Sequence, residues 1–598
     1  MSTGAHSTVL IAFLVFVGIT LLLCVLAGPE GDRVADFYTA NRTLTPLQNS
    51  LALSGDYISA ATLLGTTGIV ATSGFDGFVL AASTALALVV LLRLARPLHE
   101  AGRYTFGDVL AGRSGPADSE QPGRSEQSEP SEQSGAGALR IAAAVATLCV
   151  SLPFLVVQLS GVGSATALML GLTARGAQQL CTALVGVLMV CYTVLGGMKG
   201  TSLVQIVKVV LTLGTVLAVT LSVLGHFHWD LGALATAAGR GSGRAGAYGH
   251  PGLEFGGGAT GRLNFVSLQL TVILGAACMP HMIMRVNASP TGPAARRAAR
   301  YAIGVVGAFC LAVTVLGLGA TALVGSRTIG AVTPNGQSAL LLLAGRLDGG
   351  PGTAGGSALF TAVACAVFVT VLAVVAGITL AAAAALAHDV AAGAVRRGSM
   401  SQAAEVRTVR WSVAGVGALG IVLAIATQGY NLQFLSSLAV TVAAATVLPA
   451  LLYRLFWPAC TRAGLLWTVY GGLALSLGLQ FFSPTVSGAP DALFPHVDFH
   501  WFPLQMPGLV SIPGAFLLGW AATVRGRRPR AAHRPGRAEG AHRTERSPWT
   551  ERSPWTEPPT RTAAARPTGA GNPATWPPPA ADPGPRWDRS LPPRSGGN

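Results

Sequence analysis

Asp56 sits in the stretch LSGDYISAATLLG (53–65), between Gly55 and a run of small and apolar residues, in a chain where only 11% of residues are charged. An ionised side chain at mid-bilayer costs about 2.5–3.5 kcal/mol on insertion scales, so a carboxylate within an apolar run is a functional candidate. Its neighbours Ser54, Gly55, Ser59, Ala60, Ala61, Thr62, Gly65, Thr66, Thr67 and Gly68 commit poorly to a helix, and a break at Gly55–Asp56 is expected. A break at membrane depth frees carbonyls and amides, which is tolerated only where they line a cavity or coordinate something. The bland alternative is a carboxylate near a helix end that merely caps it.

Five other polar groups fall inside apolar runs. In CMPHMIMR (278–285), Pro280 disrupts the last turns of a helix, and His281 and Arg285 stand four apart on one face. That spacing suits a gate or an anion contact, while a simple basic anchor explains Arg285 equally well. Gln158 and Gln205 read first as interhelical hydrogen-bond partners. Lys208, about one turn from a helix end, is expected to snorkel its ammonium to the interface.

The elements that position these residues are membrane helices. The chain has 598 residues, 51% of them hydrophobic, whereas soluble domains are usually about 25% charged. Abundant Gly and Ala with few aromatics fit helices packed closely through small residues. Apolar windows predict about thirteen spans: 8–28, 47–70, 77–97, 140–168, 177–196, 201–224, 263–284, 300–324, 356–388, 409–428, 431–457, 463–482 and 507–524. Run 8–28 has no basic segment before it and reads as a span rather than a cleaved signal. With the amino terminus outside, inner loops collect most Arg, including Arg93, Arg96, Arg296, Arg297, Arg300, Arg396, Arg397, Arg407, Arg410, Arg454 and Arg462, whereas 483–506 has no Lys or Arg. This positive-inside pattern places the carboxyl terminus in the cytoplasm and explains the +15 formal charge without nucleic acid.

Residues 112–138 lack apolar periodicity and read as a disordered inner loop, and 525–598 as a disordered basic, Pro-rich tail with a tandem TERSPW at 544–555. The cluster RGRRPR (525–530) suits weak adhesion to anionic lipid, about 1 kcal/mol per charge. The Cys residues lie mostly in apolar runs, far from metal-ligand spacing. No Walker loop, hydrolase elbow, HExxH or strand-borne GxGxxG occurs, which argues against ATP-driven transport and against an enzyme.

The segments DFYTANRTLTPLQNSLALSGDYISAATLLGTTG (36–68), RYTFGDVLAGR (103–113), YTVLGGMKGTSLVQIVK (192–208), MPHMIMR (279–285) and VLAVVAGITLAAAAALAHDV (371–390) resemble the sodium:solute symporter family, within it the cation/acetate symporters. The resemblance runs over roughly residues 8 to 525. It implies an all-α membrane protein with the inverted-repeat, leucine-transporter-type fold: an opening segment 1–46, five-helix repeats at 47–224 and 263–457, an outer loop 225–262 and two last spans within 458–524.

In that family, carbonyls of the first core helix and carbonyl and hydroxyl oxygens of the eighth surround sodium. Aligned on Asp56 and Asp389, this implies a cation site at Ser54, Asp56, Tyr57, Thr370, Ala373 and Val374. Two departures weaken it. Sodium-coupled members carry adjacent hydroxyls where this chain has Ala373 and Val374, and often an aspartate where it has Ser202. Sodium is a hard cation that needs several oxygens, so Thr370 or Thr379 must compensate, or a proton carried by Asp56 replaces it.

The expectation is a secondary-active symporter in the plasma membrane, importing a short monocarboxylate, acetate before propionate or pyruvate, with a sodium or proton gradient. Ser59, Gln158, His281 and Arg285 are its candidate substrate residues; lipid and substrate are its expected partners, with no cofactor, nucleic acid or obligate protein partner. Symport of proline, sugar or pantothenate is the alternative, followed by a transporter-like sensor.

Overall fold

The computed structural model describes residues 33–526 except 113–129, 170–173, 334, 335, 348–357, 429, 431, 432, 490 and 491, with scattered positions between 11 and 28. The expected span 8–28, most of the 112–138 loop and nearly all of the tail therefore lie outside the described residues.

Twenty α-helices make up the described chain: α1 Val34–Thr39, α2 Pro46–Tyr57, α3 Thr66–Ser73, α4 Phe75–Ala101, α5 Phe106–Ala111, α6 Pro130–Met169, α7 Arg175–His226, α8 Leu231–Gly241, α9 Ala245–Tyr248, α10 Ala259–Ala276, α11 Pro280–Asn287, α12 Gly292–Leu323, α13 Ser326–Val332, α14 Ala339–Leu347, α15 Ala358–Ala384, α16 Gln402–Ala426, α17 Gln433–Val442, α18 Leu448–Phe456, α19 Arg462–Phe481 and α20 Gly508–Gly526. Ten helical stretches among the described residues are long and apolar enough to cross a membrane. Helix α7, 52 residues long, joins the expected spans 177–196 and 201–224 through a kink at Gly197, whose φ of 50° an L side chain rarely adopts. The expected span 47–70 is the broken pair α2 and α3.

The break is displaced from the expected position. Thr45 caps α2 reciprocally with Gln48, Pro46 occupies the first turn, and the helix continues through Asp56 and Tyr57 because the Ile58 amide still donates to the Ser54 carbonyl, 2.8 Å away. The chain leaves the helix at Ile58 and Ser59, then re-enters through a π-helical turn, Ala61–Gly65. Gly55 is required for another reason: a Cβ there would lie 2.5 Å from Gln205 Oε1 on α7.

A second interruption separates α10 from α11 at residues 277–279, where Pro280 takes the first-turn position of α11 behind an extended Met279. The Tyr57 hydroxyl donates to the Ala276 carbonyl at 2.9 Å, so the end of one broken helix satisfies the other. Helix α15 packs against α6 and α7 and continues as π-helical turns to Val395, past the expected end at 388.

Helix α6 begins at Pro130, within the expected loop. Its opening turns are rich in small residues, and Gly135 and Gly137 bring the backbone close to Arg462 and Ala394. The 225–262 connection, expected as an outer loop, contains short helices. It carries α8 and α9, and the Asp76 carboxylate accepts from the Gly252 and Glu254 amides. The Tyr248 hydroxyl donates to the Val70 carbonyl at 2.7 Å, which pins this segment to α3.

Candidate functional site

Asp56 and Arg285 meet at the two interrupted helices. Arg285 Nε lies 2.7 Å from Asp56 Oδ2, with both side chains essentially inaccessible. Arg285 Nη1 donates to Ser202 Oγ at 2.5 Å and approaches Met198 Sδ at 3.3 Å, and Asn49 Nδ2 donates to the Arg285 carbonyl at 2.9 Å. The other Asp56 oxygen accepts from Gln205 Nε2 at 2.5 Å, which also donates to the Ala373 carbonyl at 3.0 Å. Asp56 is therefore an interior ion-pair partner, and the capping alternative fails.

The helices dictate this meeting. Asp56 faces inward from the last turn of α2, Arg285 from the second turn of α11, and Ser202, Gln205 and Lys208 follow one another at helical spacing along α7. An aspartate at 202 would be a second anion on the guanidinium; Ser202 accepts its hydrogen bond without adding charge.

Lys208 departs from the snorkelling expectation. It is fully buried, donates to the Gly55 carbonyl, and lies 3.1 Å from Gln205 Oε1. Four residues on, Thr212 Oγ1 is 3.0 Å from Thr370 Oγ1 of α15. Gln205, expected as a structural partner, is one, but what it joins is the ion pair, the ammonium and α15.

Among the expected cation-site residues, the Ser54 carbonyl accepts within α2 and the Tyr57 carbonyl accepts from the Ser59 amide and from Thr62 Oγ1, both at 2.9 Å. The Ser54 hydroxyl donates to the Ser50 carbonyl at 2.8 Å, and Thr379 Oγ1 bonds back to Val375 at 2.8 Å. Ala373 and Val374 are buried. Of the expected substrate residues, Ser59 accepts from the Thr62 amide at 3.3 Å and so caps the re-entering segment. The other three each hold a buried nitrogen without a hydrogen-bond partner in the protein: Gln158 Nε2, His281 Nε2 and Arg285 Nη2. His281 stacks on Phe154 at 6.4 Å between ring centroids, one turn from Gln158 on α6. Buried polar nitrogens seldom go unpaired.

A second buried network lies toward the Arg-rich loops and was not anticipated. Asp108 of α5 accepts from Arg140 Nη1 at 2.9 Å and faces His388 Nε2 at 3.0 Å, while His388 Nδ1 is 2.6 Å from Glu405 Oε1. Asp389 takes the Thr105 hydroxyl at 2.6 Å and lies 3.4 Å from Arg140. The rings of Tyr38 and Tyr104 pack edge-on to His388 at 5.6 and 5.2 Å. Its sequence signal is the His388–Asp389 pair after an Ala-rich run, which served only as an alignment anchor. Asp108, His388 and Asp389 also stand close enough to meet around a metal ion, but His388 and Asp108 already engage each other, and Asp389 Oδ1 engages Thr105 and Arg140.

Burial alone would raise the Asp108 pKa, but His388, Arg140 and the Tyr104 amide hold it well below the ordinary carboxylate value. A depressed folded pKa gives stability that is present above the unfolded pKa, about 3.9, and lost as pH falls toward the folded value. Asp108→Asn is thus expected to cost about 3–5 kcal/mol at neutral pH, because it strands buried cations. Below about pH 4 the wild-type and variant melting temperatures should converge. Thermal unfolding in detergent across this range checks it, and a gap that widens on acidification contradicts it.

The profile of the sodium:solute symporter family matches residues 37–119 and 133–472. A monocarboxylic acid transporter of Corynebacterium glutamicum is 38% identical over 526 residues, covering 86% of this chain and 91% of the relative. An uncharacterized symporter of Bacillus subtilis strain 168 is 35% identical over 521 residues, covering 87% of this chain and 94% of the relative. Among solved structures, an outward-open, substrate-bound Na+-coupled sialic acid symporter aligns with a TM-score of 0.61 at 10% identity, over 87% of this chain and 98% of that one. At that identity the likeness speaks for the fold alone, the inverted-repeat leucine-transporter type.

Proposed function

Because the chain belongs to the sodium:solute symporter family, a family that implies sodium as coupling ion, we propose that it imports a short monocarboxylate, acetate first and propionate or pyruvate next, by alternating access with a cation gradient. The observation that carries this reading is the free Nη2 of buried Arg285, with unpartnered nitrogens of His281 and Gln158 on neighbouring helix faces. A guanidinium with one open edge in a dry site is suited to a carboxylate. The name of the Corynebacterium relative, a monocarboxylic acid transporter, supports the same class. The proposed orientation puts the amino terminus outside and the Arg-rich loops in the cytoplasm.

The test is uptake of labelled acetate, propionate and pyruvate into proteoliposomes, corrected for protein-free vesicles, against proline, glucose and pantothenate. The monocarboxylates should enter and compete with one another, while the other three neither enter nor compete. Uptake of any of those three at a higher rate overturns the assignment.

A further inference from the structure

We propose that Lys208 is the coupling-ion site of this chain: its Nζ carries the proton that accompanies the carboxylate, and no sodium ion is bound between α2 and α15. The proposal rests on the monocarboxylate symport reading and names its ion.

The first argument is position. The cation expected from the family lies between the interrupted first core helix and α15. In this chain the ammonium of Lys208 reaches the Gly55 carbonyl of α2, and Thr212, one turn along, meets Thr370 of α15 at 3.0 Å. The carbonyls expected to hold sodium serve protein donors instead: Ser54 accepts from Ile58, Tyr57 from Ser59 and Thr62, and Ala373 from Gln205. The hydroxyls that would complete the shell are absent at Ala373 and Val374. A fixed ammonium in a site poor in oxygen ligands excludes a mobile monovalent cation by repulsion and by lack of coordination.

The second argument is charge. The charged groups that act on Lys208 are Asp56 on α2 and Arg285 on α11, which His281 of α11 faces in turn; the α15 residues here, Thr370 and Ala373, are neutral. With His281 counted neutral, protonated Lys208 gives the cluster a net charge of about +1, and an unprotonated amine gives about zero. Carboxylate plus proton also gives zero. The empty carrier and the fully loaded one therefore carry the same balanced charge, whereas proton alone or carboxylate alone leaves one buried charge uncompensated. Since uncompensated charge in a dry site is disfavoured, the two balanced forms are the ones that pass through the occluded state, and proton and anion move together.

The proton step is simple. On the inner side an N–H bond of the ammonium breaks, its electron pair stays on Nζ, and the proton passes to water. On the outer side the Nζ lone pair takes a proton from water-borne acid. The same ammonium holds Gly55 of α2, so its charge state is felt by the interrupted helix directly.

Proteoliposomes with an entrapped pH dye test this, with pyruvate as substrate because its acid form crosses bilayers less readily than acetic acid. Wild-type protein should acidify the lumen by about one proton per pyruvate, above protein-free vesicles, equally with sodium or choline outside. Lys208→Arg retains the charge but does not release its proton at accessible pH. It should keep pyruvate exchange within about threefold of wild type while losing at least tenfold in net proton-coupled uptake, a split that a merely structural role would not produce. Wild-type exchange that requires sodium overturns the proton assignment and leaves the substrate reading standing. Net uptake by Lys208→Arg at the wild-type rate also overturns it. Absence of any monocarboxylate exchange by the wild type overturns the substrate reading and the proposal with it. Should Lys208→Arg fail to fold, Lys208→Gln stands in for it, and net proton-coupled pyruvate uptake by Lys208→Gln at the wild-type rate overturns the proposal.

Discussion

An Asp56→Asn variant is expected to bind monocarboxylate at least tenfold more tightly than the parent and yet to lose net uptake by about a hundredfold. Asp56 is the only carboxylate bonded to Arg285, through Nε at 2.7 Å, among the described residues. Its anion competes with substrate for the guanidinium. Removing it leaves Arg285 as a buried cation without a fixed counter-charge in the empty carrier, a situation that costs about 3–5 kcal/mol in other proteins. A bound carboxylate then becomes the compensating anion and gains part of that energy, each 1.4 kcal/mol being about tenfold in affinity. The empty carrier is the species that suffers, and it must return for every net import event. Exchange of labelled for unlabelled pyruvate needs no empty return, so it should survive at low substrate concentration. Binding titration, exchange and net uptake on one preparation separate the effects. Unchanged affinity together with unchanged net uptake would show that Asp56 has no part in the site.

How much of this was legible beforehand depends on the kind of signal. Asp56, His281 and Arg285 were visible because charge and proline are rare inside apolar runs, and rarity alone singles out a residue. The interruption of the first core helix was legible, but its place was not. Gly55 looked like a breaking residue, whereas it is a contact residue: Gln205 lies where its side chain would be. A sequence gives the helix propensity of a glycine and is silent about what approaches it. Lys208 was misread for a related reason. Snorkelling is decided by distance along one helix, yet Lys208 stays inside because α2 presents the Gly55 carbonyl and α7 presents Gln205 Oε1.

Long-range pairing accounts for the other omissions. Asp108, Arg140, His388 and Glu405 come from four separate stretches and acquire meaning only when α5, α6, α15 and α16 converge. The 225–262 connection was expected only as an outer loop, and Asp76 and Val70, distant in sequence, supply the acceptors that fix it. The family resemblance conveyed the fold well, because helix order and broken-helix placement tolerate substitution. It says less about the cation site, because an ion site turns on a few oxygens, and at Ala373 and Val374 this chain lacks two that sodium-coupled members carry.

Arg285→Gln should show the opposite pattern from Asp56→Asn: loss of substrate affinity by at least about a hundredfold, with exchange and net uptake falling together. The guanidinium makes three kinds of contact that Gln does not reproduce at once. Nε holds Asp56, Nη1 holds Ser202 at 2.5 Å, and Nη2 faces the proposed carboxylate position. Truncating one partner of a buried charge pair costs about 2–5 kcal/mol, partly because the other charge is stranded. Stability and function are therefore confounded in the single variant. The double variant Asp56→Asn/Arg285→Gln separates them, since neither member of the pair is then left charged. It should recover most of the lost thermal stability while its pyruvate affinity remains as poor as that of Arg285→Gln. If the double variant instead regains both stability and affinity, Arg285 serves only to neutralise Asp56, and the anion is bound elsewhere. If it regains neither, the pair is needed mainly to hold α2 against α11, and the affinity lost in Arg285→Gln reports that structural damage rather than a lost substrate contact.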